Sequence, residues 1–139
     1  MAVARSWINT PFLHHHHLKG YGCDCIGLVA ESFREAGFSR SAEFAYPEYG
    51  RSPRPGVMAG YLNQFLVPVS EPAVGDVAWM KWKTRPMHLA LIGNYLHRED
   101  REPFSIIHAV IEANKVVETR FDEFWRARAV KFFRAPELM

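Results

Sequence analysis

The chain has 139 residues, 48% of them hydrophobic and 23% charged, with a formal net charge of +2, so a single domain over 1–139 with its own core is expected. That charge is too small, and the Lys and Arg too scattered, for a nucleic-acid binder, and no apolar run approaches the ~20 residues of a membrane span. Two cysteines, Cys23 and Cys25, make neither a disulfide framework nor a four-cysteine zinc site.

In chain order, residues 2–9 are predicted as a short helix anchored by Trp7 and Ile8 and stopped at Thr10-Pro11, because proline disfavours helix in the residue before it. Met1 to Trp7 lacks the apolar core of a signal peptide. Synthesis in the cytoplasm without one is therefore expected, with a carrier needed to reach any other place. His14 to His17 form a run that reads as a metal-binding tract, a groove rim or a plain loop; no metal is expected. Residues 25–36 are predicted as a helix, with Asp24 as N-cap, Gly37 past its end, and Leu28, Val29 and Phe33 on one face. Gly27 in its first turn costs helix stability and points to close packing. Residues 38–55, with Pro47, Pro53 and Pro55, read as loop. A second helix is predicted over 56–66 with Met58, Tyr61, Leu62, Phe65 and Leu66 as its stripe, and Pro68 and Pro72 bracket a turn.

From Asp76 the pattern becomes strand-like. Strands are predicted at 77–82, 87–92, 104–110, 115–119 and 129–134, with a short helix at 122–128 capped by Asp122. Helices first and strands second give an α+β domain with an antiparallel sheet.

The segment that carries chemistry is Gly22-Cys23-Asp24-Cys25-Ile26-Gly27-Leu28-Val29. Cys25 falls on the first position of a predicted helix, where unpaired N–H groups and the helix dipole favour an anion. A lowered thiol pKa is expected there. Cys23 lies outside the helix, so the nucleophile is assigned to Cys25. Each cysteine taken alone reads equally well as a small buried hydrophobe, and a base must be found. His97 sits in a charged loop and is expected to be solvated. His88 and His108 each lie inside an apolar strand, where a histidine is either a satisfied core residue or a working one. If their strands form a hairpin pairing His88 with His108, Ala90 with Ile106 and Ile92 with Phe104, all these side chains share one face. One imidazole could then orient the other, as in a Cys/His/polar triad.

Several segments resemble, in order, those of the NlpC family of papain-like cell-wall cysteine peptidases. Asp24-Cys25-Ile26-Gly27-Leu28-Val29 is similar to its Asp-Cys-Ser-Gly-Leu-Val motif, and Thr10-Pro11-Phe12 with Lys19-Gly20-Tyr21-Gly22 to the approach to its cysteine. Gly75-Asp76-Val77 resembles the turn before its first core strand. Met87 to Ile92 resembles its His-Val-Gly-Ile-Tyr strand, and Ile106-Ile107-His108-Ala109 its Phe-Ile-His-Ala segment. The compact form looks most like members encoded with phage tails and gene-transfer agents.

The resemblance implies a papain-like fold, with the cysteine at a helix N-terminus packed on an antiparallel sheet. It implies Cys25 as nucleophile, His88 as base and His108 as orienter. The implied substrate is peptidoglycan stem peptide, cut after D-glutamate, without cofactor. The implied setting is a phage-like particle whose proteins are its partners and which carries it to the wall. Two positions depart from the pattern: Ile26 stands where the family often has Ser, and Phe12 where it often has Tyr. The candidate oxyanion or substrate contacts are Tyr21, Phe12 and Asp24, with the Cys25 N–H as a backbone donor. Two alternatives keep the same fold: a non-catalytic phage-tail component, and a cysteine-dependent acyltransferase or amidase.

Overall fold

The computed structural model describes residues 1–46, 54–83, 85–94 and 104–139. The elements run α1 (Ala2–Arg5), β1 (His17–Leu18), β2 (Gly22–Cys23), α2 (Cys25–Glu35), α3 (Pro55–Phe65), β3 (Val67–Val69), β4 (Val77–Trp82), β5 (Arg85–Gly93), β6 (Ser105–Val110), β7 (Lys115–Arg120), α4 (Glu123–Arg126) and β8 (Ala129–Arg134). Short 3-10 turns at Ser39–Glu43 and Pro136–Leu138 complete them. The domain is α+β, as its pattern predicts. Six strands form an antiparallel sheet in the order β3-β8-β4-β5-β6-β7, and β1 and β2 make a separate hairpin.

Three elements differ from expectation. The first helix ends at Arg5 rather than at residue 9. Its continuation tightens into turns, with the Trp7 N–H on the Ala4 carbonyl and Asn9 at φ 74°, and this tucks Trp7 into the core at 1% exposure. Residues 67–69, read as part of a turn, form β3 on β8; a strand at the sheet margin tolerates Pro68, which has no N–H to give. The β1–β2 hairpin has two residues per strand, too few for any periodicity to register. The loop carrying His97, with residues 95–103, and residues 47–53 lie outside the described residues.

Alternation along the strands divides the core in two. On the near face Leu28 and Val29 of α2 pack with Val77, Leu89, Leu91, Ile107, Ala109, Val116 and Phe133. On the far face Ala78, Met80, Ala90, Ile92, Ile106 and Phe121 are buried beneath Phe104, Trp125, Ala129 and Phe132. The turn into β4 is fixed by Asp76, fully buried, which takes a two-pronged ion pair from Arg134 at 2.8 and 2.9 Å and the Ala73 N–H at 2.8 Å. Segment 9–12 runs between β7 and β2. The Asn9 and Phe12 N–H groups donate to the Val116 and Asn114 carbonyls, and the Cys23 N–H donates to the Pro11 carbonyl. No helix among the described residues is long and apolar enough to cross a membrane.

Candidate functional site

The helix that carries Cys25 begins where the sequence places it. Asp24 is extended, and its side chain accepts the Gly27 N–H at 2.8 Å and the His15 N–H at 2.9 Å. Both carboxylate oxygens of this buried residue are thus engaged in holding the helix start against the histidine run. A Cβ on Gly27 would stand 2.6 Å from the His16 carbonyl oxygen and 2.9 Å from the His17 Cβ. Only glycine lets α2 begin this close to that backbone, the packing its costly place in the first turn foretells.

The Cys25 thiol does not have the lowered pKa expected of a helix start. Burial pushes it up to about 12, and the neighbouring Asp24 carboxylate adds to the rise. The N–H groups of Leu89, Ile26 and Cys25 itself pull the other way and are outweighed. The physical reason is that the helix end offers partial charges, whereas the thiolate would lose its water and face a full negative charge at the cap. Cys23 is likewise raised to about 12, again by burial first. Acidity therefore does not separate the two cysteines, but position does: Cys23 is fully buried, while Cys25 lines a cleft.

The histidines lie on the far face of the sheet. Ile92 pairs with Ile106 rather than with Phe104, and Leu91 with Ile107. Continuing that register sets Ala90, not His88, opposite His108. The expected pairing is therefore off by two residues. A shift of two preserves the face, and a diagonal neighbour is still within reach of a long side chain. His88 Nε2 and His108 Nδ1 lie 2.9 Å apart in a hydrogen bond, and His108 Nε2 lies 3.1 Å from Thr119 Oγ1 on β7. Trp125 packs against His108 with the rings nearly perpendicular and their centroids 4.8 Å apart, and the Trp82 ring centroid lies 5.4 Å from that of His88. Burial lowers His88 to about 4. It also holds His108 well below the usual imidazole range, with the charge of His88 adding to the effect. Both rings are neutral at pH 7.

Cys25 and His88 both line a cleft of about 110 Å³, with Phe12, His14, Asp24, Ile26, Trp82 and Met87 among the other lining residues. The Cys25 sulfur faces the Met87 carbonyl at 3.9 Å, and among the described residues no hydrogen bond joins it to the His88 ring. The second imidazole nitrogen of His88, Nδ1, is the one that the His108 bond leaves over. The arrangement thus holds a neutral thiol, a neutral imidazole with one nitrogen already committed, and a helix N-terminus in one place. Those are the parts of general-base activation of a nucleophile.

No protein-family model matches the chain, and no curated protein matches it.

Of the other sequence-derived candidates, Phe12 and Asp24 line the cleft and Tyr21 does not. Tyr21 lies in the turn joining β1 to β2, with 66% of its surface exposed. The histidine run splits up: His14 lines the cleft and stacks on His15 at 4.3 Å, while His17 stacks on Tyr46 at 4.0 Å. Among the described residues no three His, Cys, Asp or Glu side chains converge as a metal would require. A larger hollow of about 200 Å³ lies between α2 and α3, walled by Val29, Phe33, Tyr61, Leu62 and Phe65. It shares Ile26 with the cleft, but no described cysteine or histidine lines it.

Sequence reasoning missed Thr119, Trp82 and Trp125. Thr119 had a signal: once His108 is placed on the far face, alternation puts Val117, Thr119 and Phe121 there too, and the polar member stands out. The tryptophans had none, since α4 and the end of β4 come together only through the tertiary fold.

Proposed function

We propose that the protein is a cysteine peptidase of the NlpC type, with a papain-like fold, acting on peptidoglycan stem peptides. The observation that carries this reading is that Cys25, at the start of α2, and His88 line one cleft, while His88 is held from behind by His108 at 2.9 Å. The ordered resemblance of the surrounding segments supplies the substrate class, an amide after D-glutamate, and the setting of a phage-like particle acting on the wall.

In the first step Cys25 turns its sulfur from the Met87 carbonyl toward His88. His88 Nδ1 takes the thiol proton as the sulfur attacks the amide carbon. The oxygen becomes an oxyanion beside the helix-start N–H groups, that of Cys25 foremost. The C–N bond then breaks, and His88 returns the proton to the leaving amine. Water attacks the thioester while His88 accepts its proton, which releases the carboxylate and regenerates the thiol. Ile26 and Phe12 bring no hydroxyl to this site, so oxyanion stabilisation falls to the backbone.

The test is to incubate wild type and Cys25→Ala with purified muropeptides and identify products by mass spectrometry. Cleavage by wild type alone is expected. Equal cleavage by both would remove Cys25 from the mechanism. A second reading, a non-catalytic phage-tail component on the same fold, is favoured by the thiol raised to about 12. It predicts no products from wild type.

A further inference from the structure

The two histidines do not end the polar row on the far face. Thr119 extends it, and the three side chains cross β5, β6 and β7 on a diagonal. His108 pairs directly with Val117, and Thr119 with Ile106. Relative to His108, His88 is displaced toward the Val110 end of β6 and Thr119 toward the Ile106 end. Each link is therefore a diagonal contact of the kind that long or polar side chains make across strands.

The direction of the hydrogen bonds along this row decides what His88 offers the thiol. A neutral imidazole has one N–H and one lone pair. If His88 is to accept a proton at Nδ1, its own hydrogen must sit on Nε2 and point at His108 Nδ1. His108 must then carry its hydrogen on Nε2, where only an acceptor satisfies it. The group there is Thr119 Oγ1, at 3.1 Å. In the opposite polarity the Thr119 hydroxyl would donate to His108 Nε2, His108 would donate from Nδ1 to His88 Nε2, and His88 would carry its hydrogen on Nδ1, which is useless for a base. A carboxylate would settle the matter, but Glu118, next along β7, is on the other face, where it takes Arg5 at 3.0 Å and Ser105 at 2.6 Å. Trp125 also packs on His108, but its indole N–H can only donate. A hydroxyl can accept from or donate to His108 Nε2, so in the polarity that a His88 base needs, Thr119 is the group that accepts.

We infer that Thr119 is a positioning residue which holds His108 as the Nε2–H tautomer, and through it keeps His88 Nδ1 unprotonated. The inference rests on the peptidase reading, whose base sets the polarity of the row. Thr119→Val keeps the β-branched shape and removes the acceptor; Thr119→Ser restores a hydroxyl.

The full chain, labelled with ¹⁵N, is examined by long-range ¹H–¹⁵N spectra of the imidazoles at pH 7, alongside muropeptide cleavage. Wild type and Thr119→Ser are expected to show His108 protonated on Nε2. Thr119→Val is expected to lose that preference and to lower kcat about 10-fold with KM little changed. Thr119→Ser should recover most of the rate. Retention of the Nε2–H form in Thr119→Val overturns the inference, as does an unchanged kcat or a loss that serine does not repair. Should wild type cleave nothing, the peptidase reading fails, while the spectra still decide the role of Thr119 in the row.

Discussion

The near and far faces of the sheet are both buried, yet they are filled in different ways. Against α2, the near face is apolar throughout its centre, with Leu28 and Val29 lodged on Leu89, Leu91, Ile107 and Ala109. The far face buries a smaller apolar set, and His88 and His108, themselves buried, interrupt it. On the first face, side-chain shape is all that matters. On the second, each ring needs partners and a defined proton. A buried polar row that is fully hydrogen-bonded costs little, and one that loses a member leaves an orphaned group. Burial also acts on the ionisable groups of both sides in one direction, raising the Cys25 thiol and lowering His88. Each moves toward its neutral form, so the pair rests as thiol and imidazole rather than as an ion pair.

The largest test of the contrast pairs one truncation on each face. His88→Ala is expected to lower muropeptide cleavage by at least about 10³-fold. Leu28→Ala is expected to leave the rate per folded molecule within a few-fold while costing about 2–5 kcal/mol of stability in a urea titration. Should Leu28→Ala abolish catalysis in folded protein, the division of labour between the faces breaks.

A smaller effect concerns pH. His88 protonates near its ordinary value in the unfolded chain but only at about 4 in the folded one. Between these values the unfolded state binds more protons, so stability rises with pH across that window and is lost as pH falls through it. About 3 kcal/mol is expected to vanish between roughly pH 6.5 and pH 4 from this group alone. Denaturant midpoints measured from pH 7 to pH 4 check it, and His88→Gln should flatten the slope. The acid limb of kcat/KM should likewise fall near 4, below the usual histidine range.

The smallest effect separates a cap from a charge. Asn caps a helix about as well as Asp, but its amide nitrogen cannot accept the His15 N–H, so Asp24→Asn should cost about 1–3 kcal/mol. It removes the carboxylate that helps to raise the Cys25 thiol. Faster alkylation by iodoacetamide at fixed pH is expected. An unchanged rate would leave desolvation as the whole cause.

Much of this fold is legible in the sequence because local signals agree with it. Asp24 and Asp122 cap α2 and α4, each accepting the N–H three residues on, and the strands at 77–82 and 129–134 fall on their alternating segments. The register of β5 on β6 is not legible, because faces repeat every two residues and the loop between them constrains no pairing. The thiol pKa is not legible either. It depends on desolvation and on a neighbouring carboxylate, and helix position alone speaks only for the dipole. Thr119 was within reach of pattern, and Trp125 was not.

The run of backbone hydrogen bonds from residues 9–12 to β7 has one more consequence. β7 is the last strand of the sheet on its side, and its outward N–H and C=O groups are the kind that recruit foreign strands. At the Asn114–Val116 end, the Asn9 and Phe12 N–H groups and the Thr10 carbonyl occupy those positions with the chain's own segment. The segment leading to the cleft thus also covers that end of the sheet's open edge.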